Sequence, residues 1–243
     1  MLQDLDTEFI SRAMKVTSFN ITTKDLQDTK HKREIQYLFG THLFPSFDLS
    51  KTVNGLNKDK INSLISQLRT SGNFQSLHSY NLKGVGPGEA TLYFLINNSY
   101  LGGGSSAGAD LFVGSDTYEL KAVKVSRDNL ASDFKLGGTV PLSPIIVALN
   151  NLREELKLSG TRTEMSSGIM AEMKQKNPVR YSQIESDYAD IAYNSYFKNH
   201  EIVFINNAPG QKLGNIEAIK EVKKSDIMIE RVTSGTVKPK VKL

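Results

Sequence analysis

Residues 108–123, "GADLFVGSDTYELKAV", decide how this chain is read. Gly114-Ser115 is a turn signal between two short runs of strand character. A two-residue loop with Gly first suits a type II′ turn and sets Val113 opposite Asp116. Continued outward, that register places Asp110 directly opposite Glu119, where Cβ atoms lie about 4.5–5.5 Å apart and like charges repel. Alternation puts Lys121 on the face of Glu119 and gives Tyr118, Leu120 and Ala122 the other face, with Leu111 and Val113. A three-residue loop would instead bring Asp110 opposite Leu120. In that case Glu119 and Lys121 are ordinary solvent-facing strand residues.

Two carboxylates meeting on a strand pair suit Mg²⁺, a hard ion that takes oxygen ligands, keeps several waters and completes its shell with substrate phosphate. A lysine beside them can align or deprotonate an attacking water and offset charge developing at phosphorus. The expectation is therefore a metal and a phosphodiester.

Upstream, "GVGPG" at 84–88 precedes an apolar run from Ala90 to Ile96. Pro87 suits a first helical position, so Glu89 sits in the opening turn of a buried helix, where an acid is also favourable as a simple cap. The "GGGSSAG" cluster at 102–108 reads as a loop whose Ser105 and Ser106 can hydrogen-bond phosphate. Downstream, Lys124, Arg127 and Lys135 are placed to contact a nucleic-acid backbone or to serve as solvated surface.

The first eighty residues read as helices. Leu26, Ile35, Leu38 and Phe39 fall on one stripe, and Ile61, Leu64, Ile65 and Leu68 on another that ends at Ser71-Gly72. After the hairpin come a helix from about Pro144 to Leu158 and a helical stretch over roughly 163–199. "EIVFIN" at 201–206 reads as a buried strand, "GNIEAIKEVKK" as a short helix, and "DIMIERV" with "TVKPKVKL" as a terminal strand pair around Ser234-Gly235. This gives a helical N-terminal extension, 1–80, and an α/β core, 81–243.

Composition narrows the chemistry. The 243 residues contain no cysteine, which excludes disulfides, thiolate zinc sites and cysteine nucleophiles. The four histidines, His31, His42, His78 and His200, have no metal-binding spacing. Net charge is +4, with basic clusters "KHKR" at 30–33 and "KPKVKL" at the C-terminus, both readable as solvated surface. The N-terminus lacks a signal peptide's positive start and apolar run, and no segment approaches the ~20 apolar residues of a span, so a soluble, unsecreted protein without a membrane partner is expected.

"GPGE" in a helix, then "GADL", then "ELKA" resembles the PD-(D/E)XK nuclease superfamily of restriction, phage and recombination nucleases. The resemblance covers about residues 84–138. It implies a restriction-endonuclease-like mixed central sheet flanked by helices and a Mg²⁺-dependent DNA endonuclease, with Mn²⁺ as a substitute ion. Residue by residue, it makes Glu89 the helix acid, Asp110 and Glu119 the principal metal ligands and Lys121 the catalytic lysine. Ala109 stands where the family has Pro, and Gln183 and Tyr188 are one residue too far apart for the exonuclease-branch motif, which disfavours a processive exonuclease. Double-strand cleavage by such an enzyme implies a homodimer. With "FKLGG" at 134–138, the pattern also looks like tailed-bacteriophage proteins. This leaves open a virion structural or assembly role among phage proteins, in the host cytoplasm or in the particle.

Overall fold

The computed structural model describes residues 5–13, 21–42, 51–70, 85–102, 109–126, 129–131, 136, 142–206 and 214–243. The chain is mixed α/β, with seven α-helices and eight strands among those residues. Contacts divide it into two compact units, residues 1–120 with 208–217 and residues 121–207 with 218–243. The division differs from the 1–80/81–243 split read from sequence. The N-terminal helices share one unit with the hairpin's acids, and the boundary falls inside a strand.

The first unit contains α1 (Thr7–Ala13), a 3₁₀ turn (Thr23–Leu26), α2 (Lys32–His42), α3 (Lys58–Thr70), α4 (Pro87–Leu95), β1 (Ser99–Leu101), β2 (Leu111–Val113) and the opening of β3 (Asp116–Ser126). The predicted stripes are its core: Ile35, Leu38 and Phe39 of α2 and Ile61, Leu64, Ile65 and Leu68 of α3 are buried, and Phe39 meets Phe94 of α4 at 3.8 Å between ring centroids. Leu26 joins them from the 3₁₀ turn, not from one continuous helix. Thr22 and Asp25 cap that turn, and Asp28 accepts the Lys30 N–H in the break before α2. Helix α4 begins with Pro87 after a Gly86 N-cap, and every residue from Ala90 to Leu95 is buried.

The second unit holds the rest of β3, β4 (Asn129–Ala131), α5 (Ser143–Glu155), α6 (Ser167–Lys176), α7 (Pro178–Ala192), a π-helical turn (Tyr193–Phe197), β5 (Glu201–Asn206), β7 (Ile227–Thr233) and β8 (Thr236–Lys242). Strand β6 (Ile216–Glu221) starts in the first unit and ends in the second. The single helical stretch expected over 163–199 is two helices. Pro178 removes an N–H, and Asn177 ends α6 while its side chain caps α7. The segment read as a short helix, "GNIEAIKEVKK", forms β6: Ile216 is buried, Ala218 packs on the core, and Val222 just past the strand's end is fully buried.

Strand neighbours follow the order β1-β2-β3-β4-β8-β7, with β5 beside β3 and β6. The sheet is antiparallel wherever its register is described, not the mixed sheet expected. The terminal hairpin is as read, turning through Ser234 and Gly235 at φ +50° and +66°. Among the described residues no helix is long and apolar enough to cross a membrane.

Candidate active site

The β2–β3 hairpin forms in the predicted register. Leu111 pairs with Tyr118, Phe112 with Thr117 and Val113 with Asp116, and Gly114 adopts φ +62° while Ser115 stays at negative φ, the pattern of a type II′ turn. The excluded three-residue loop would have shifted every pair.

The register does not continue unchanged to Asp110. Its backbone N–H donates to the Tyr118 carbonyl at 3.0 Å, although Tyr118 is already the partner of Leu111. Two residues of β2 thus face one of β3, a β-bulge, which turns the local side chain away from square opposition. Asp110 Oδ2 accepts the Leu120 N–H at 2.8 Å, taking the place that a strand carbonyl would hold. The carboxylate is therefore fixed one residue from Glu119 along β3, with one of its oxygens used for orientation. Both acids are half-buried.

Lys121 follows Glu119 on the same strand face by alternation, and it is half-buried too. Its Nζ lies 5.3 Å from the centroid of the Tyr196 ring, within cation–π range. Tyr196 comes from the π-helical turn, closed by the Lys198 N–H donating to the Tyr193 carbonyl five residues back. A π turn inserts a residue and rotates the side chains beyond it, and such turns recur at functional sites.

One expectation about β3 is corrected. Tyr118 is buried with Leu111 and Val113, but Ala122 is exposed and Val123 is fully buried. An odd spacing separates the two buried residues, so the buried face changes between Tyr118 and Val123, a stretch in which the chain passes from one unit to the other. Each half of the strand serves its own core.

Glu89 occupies the third position of α4. Its carboxylate folds back over the helix start, since a Cβ at Gly86 would lie 2.9 Å from Glu89 Oε1. That is the reach of an acid at an uncapped N-terminus. Among the described residues no group of three or more His, Asp or Glu side chains is arranged to hold a metal. Glu89, Asp110 and Glu119 therefore do not close up as a three-ligand set, and the donors that fit Mg²⁺ are the hard oxygens of Asp110 and Glu119.

Of the expected backbone contacts, Lys124 is exposed on β3 opposite Ala131. Ser105, Ser106, Arg127 and Lys135 lie outside the described residues. Within "KHKR", Lys32 is not solvated surface. It is buried and bonds the Tyr93 carbonyl, the Ser99 carbonyl at 3.1 Å and Ser99 Oγ at 3.0 Å, with the Tyr93 ring centroid 3.2 Å away. Burial drives its pKa down to about 6. Its spacing to Ile35 and Phe39, i+3 and i+7, was the available signal. His31 stacks on Phe9 at 4.1 Å, a structural placement.

No family model, curated protein or solved structure matches this chain.

Proposed function

We propose that the chain hydrolyses phosphodiester bonds in DNA as a Mg²⁺-dependent endonuclease of restriction-endonuclease-like fold. The observation that carries this reading is the hairpin itself. Asp110 is locked by the Leu120 N–H beside Glu119, and Lys121 follows on the same strand face. The order of elements supports it: an acid-bearing helix α4, then the Asp strand, then the Glu-x-Lys strand, with β5 beside β3 as a continuation of the sheet.

Asp110 and Glu119 would hold the ion, which when bound supplies Lewis acidity to a phosphoryl oxygen. By donating to Oδ2, the Leu120 N–H keeps the Asp110 carboxylate directed. Lys121 aligns the attacking water and stabilises negative charge as it grows at phosphorus. Glu89 holds the α4 terminus and supports the site from there.

The test is cleavage of supercoiled plasmid with Mg²⁺ or Mn²⁺ by folded wild type, Asp110→Asn, Glu119→Gln and Lys121→Met proteins. Asn keeps an oxygen for the Leu120 N–H and removes only the charge. Nicking or linearisation by wild type that falls at least ~10²-fold in each variant is expected, the scale of losing one electrostatic contributor. Wild type that cuts no DNA form with either ion, or variants that cut equally well, would overturn the assignment.

A further inference from the structure

We propose that the face of β8 bearing Lys240 and Lys242, with Lys124 of β3 beside them, is a docking track for the phosphate backbone of DNA. This surface goes beyond the cleavage reading and does not depend on it.

Strand β8 alternates. Val237 and Val241 belong to the core of the second unit, so Lys238, Lys240 and Lys242 project to the opposite face. The ladders align them with β3: Lys124 pairs with Ala131 and Ala131 with Lys240, so Lys124 and Lys240 stand in one row across β4. Asn129 pairs with Lys242 and adds a neutral donor two residues along. The row rises from the interior to the surface: Lys238 is buried, Lys240 half-buried, and Lys124 and Lys242 exposed. Strand geometry fixes the spacings at about 7 Å along β8 and about 10 Å across two strands.

Two acids near the row among the described residues pair with other cations. Asp226 pairs with Lys220 at 3.1 Å, and Lys220 also donates to the Lys242 carbonyl at 2.8 Å. Glu230 pairs with Arg231 at 3.2 Å. Charge is also divided unevenly. The second unit has 18 Lys and Arg against 13 Asp and Glu, whereas the first has 12 against 13. The whole excess thus resides in the unit that carries the row. A line of ammonium groups flanked by the single exposed side chains Val125 and Leu243, and not by a broad apolar face, fits a linear polyanion better than a membrane, whose interfacial binding needs such a face as well. Such contacts set position and carry no sequence information.

The test is fluorescence anisotropy with a labelled 20-base-pair duplex in EDTA, from 50 to 200 mM NaCl, so that cleavage plays no part. Lys124→Gln/Lys240→Gln/Lys242→Gln should lower the slope of log K against log salt by about 2.7, near 0.9 per lost phosphate contact, and weaken binding at least tenfold at 50 mM. Exposed Lys124→Gln alone, with its fold verified by circular dichroism, should lower the slope by about 0.9. A control of equal charge in the same unit, Arg162→Gln/Lys176→Gln/Lys198→Gln, should stay within threefold of wild type. An unchanged slope in the row variants, an equal loss in the control, or wild type that binds phosphatidylserine vesicles but not duplex would overturn the proposal.

Discussion

Gly102 shows what a single missing Cβ does. A Cβ there would lie 1.7 Å from the Ala109 carbonyl oxygen, a backbone atom that cannot step aside, while the Gly102 N–H bonds the Asp110 carbonyl at 3.0 Å. Gly102→Ala should therefore cost more than about 2 kcal/mol, the overpacking range, read as a fall in the urea midpoint. It should also disturb the Asp110 bulge that the β1–β2 approach holds in place. Tyr188 makes the opposite case. Its hydroxyl is buried and, among the described residues, has no hydrogen-bond partner. Tyr188→Phe removes an uncompensated polar atom and should leave stability unchanged or raise it by up to about 1 kcal/mol in the same urea experiment. Neither effect is legible in sequence, since each depends on an atom brought near from elsewhere in the fold.

Elements were legible where a local rule dictated them. Turn chemistry at Gly114-Ser115 and period-two alternation fix the hairpin register, and period 3.6 fixes the stripes of α2 and α3, so those residues carried their structure in view. The bulge at Asp110 depends on Tyr118 accepting two N–H groups, and the change of buried face on β3 depends on two cores meeting one strand. No window of sequence contains either fact. Strand β6 has no clean alternation of burial to mark it, and the pairing that makes it a strand comes from β5. The π turn was equally hidden, and it places Tyr196 under Lys121. If that ring positions Lys121 for the proposed cleavage, Tyr196→Phe should keep plasmid cleavage near wild type and Tyr196→Leu should lower turnover several-fold, the rate equivalent of about 1 kcal/mol of cation–π interaction. Loss should fall on turnover with substrate KM unchanged, and equal turnover in Phe and Leu variants would remove Tyr196 from the site.

At the scale of the molecule, the groups buried in the two cores set how stability follows pH. Lys32 titrates near 6 in the fold because burial disfavours its ammonium, against about 10.4 in an unfolded chain. Between those values the unfolded state binds one more proton than the folded state, so stability rises with pH across the window, by up to about 1.4 kcal/mol per pH unit. Below pH 6 both states are protonated and the penalty is constant. Tyr93, Tyr181 and Tyr188 act above that window: burial raises each phenol, so beyond about pH 10 the unfolded chain releases protons that the fold retains, and stability falls. The maximum attributable to these four groups thus lies near pH 10, well above the range where His and carboxylates act. Lys32→Met isolates the first contribution, because it removes the titration while the Ser99 hydroxyl still donates to the Tyr93 carbonyl. Urea unfolding at half-unit steps from pH 6.5 to 9.5 should give a wild-type stability that climbs relative to Lys32→Met throughout. Parallel curves for the two proteins would mean that Lys32 keeps its proton in the fold, held by the Tyr93 and Ser99 oxygens and the Tyr93 ring.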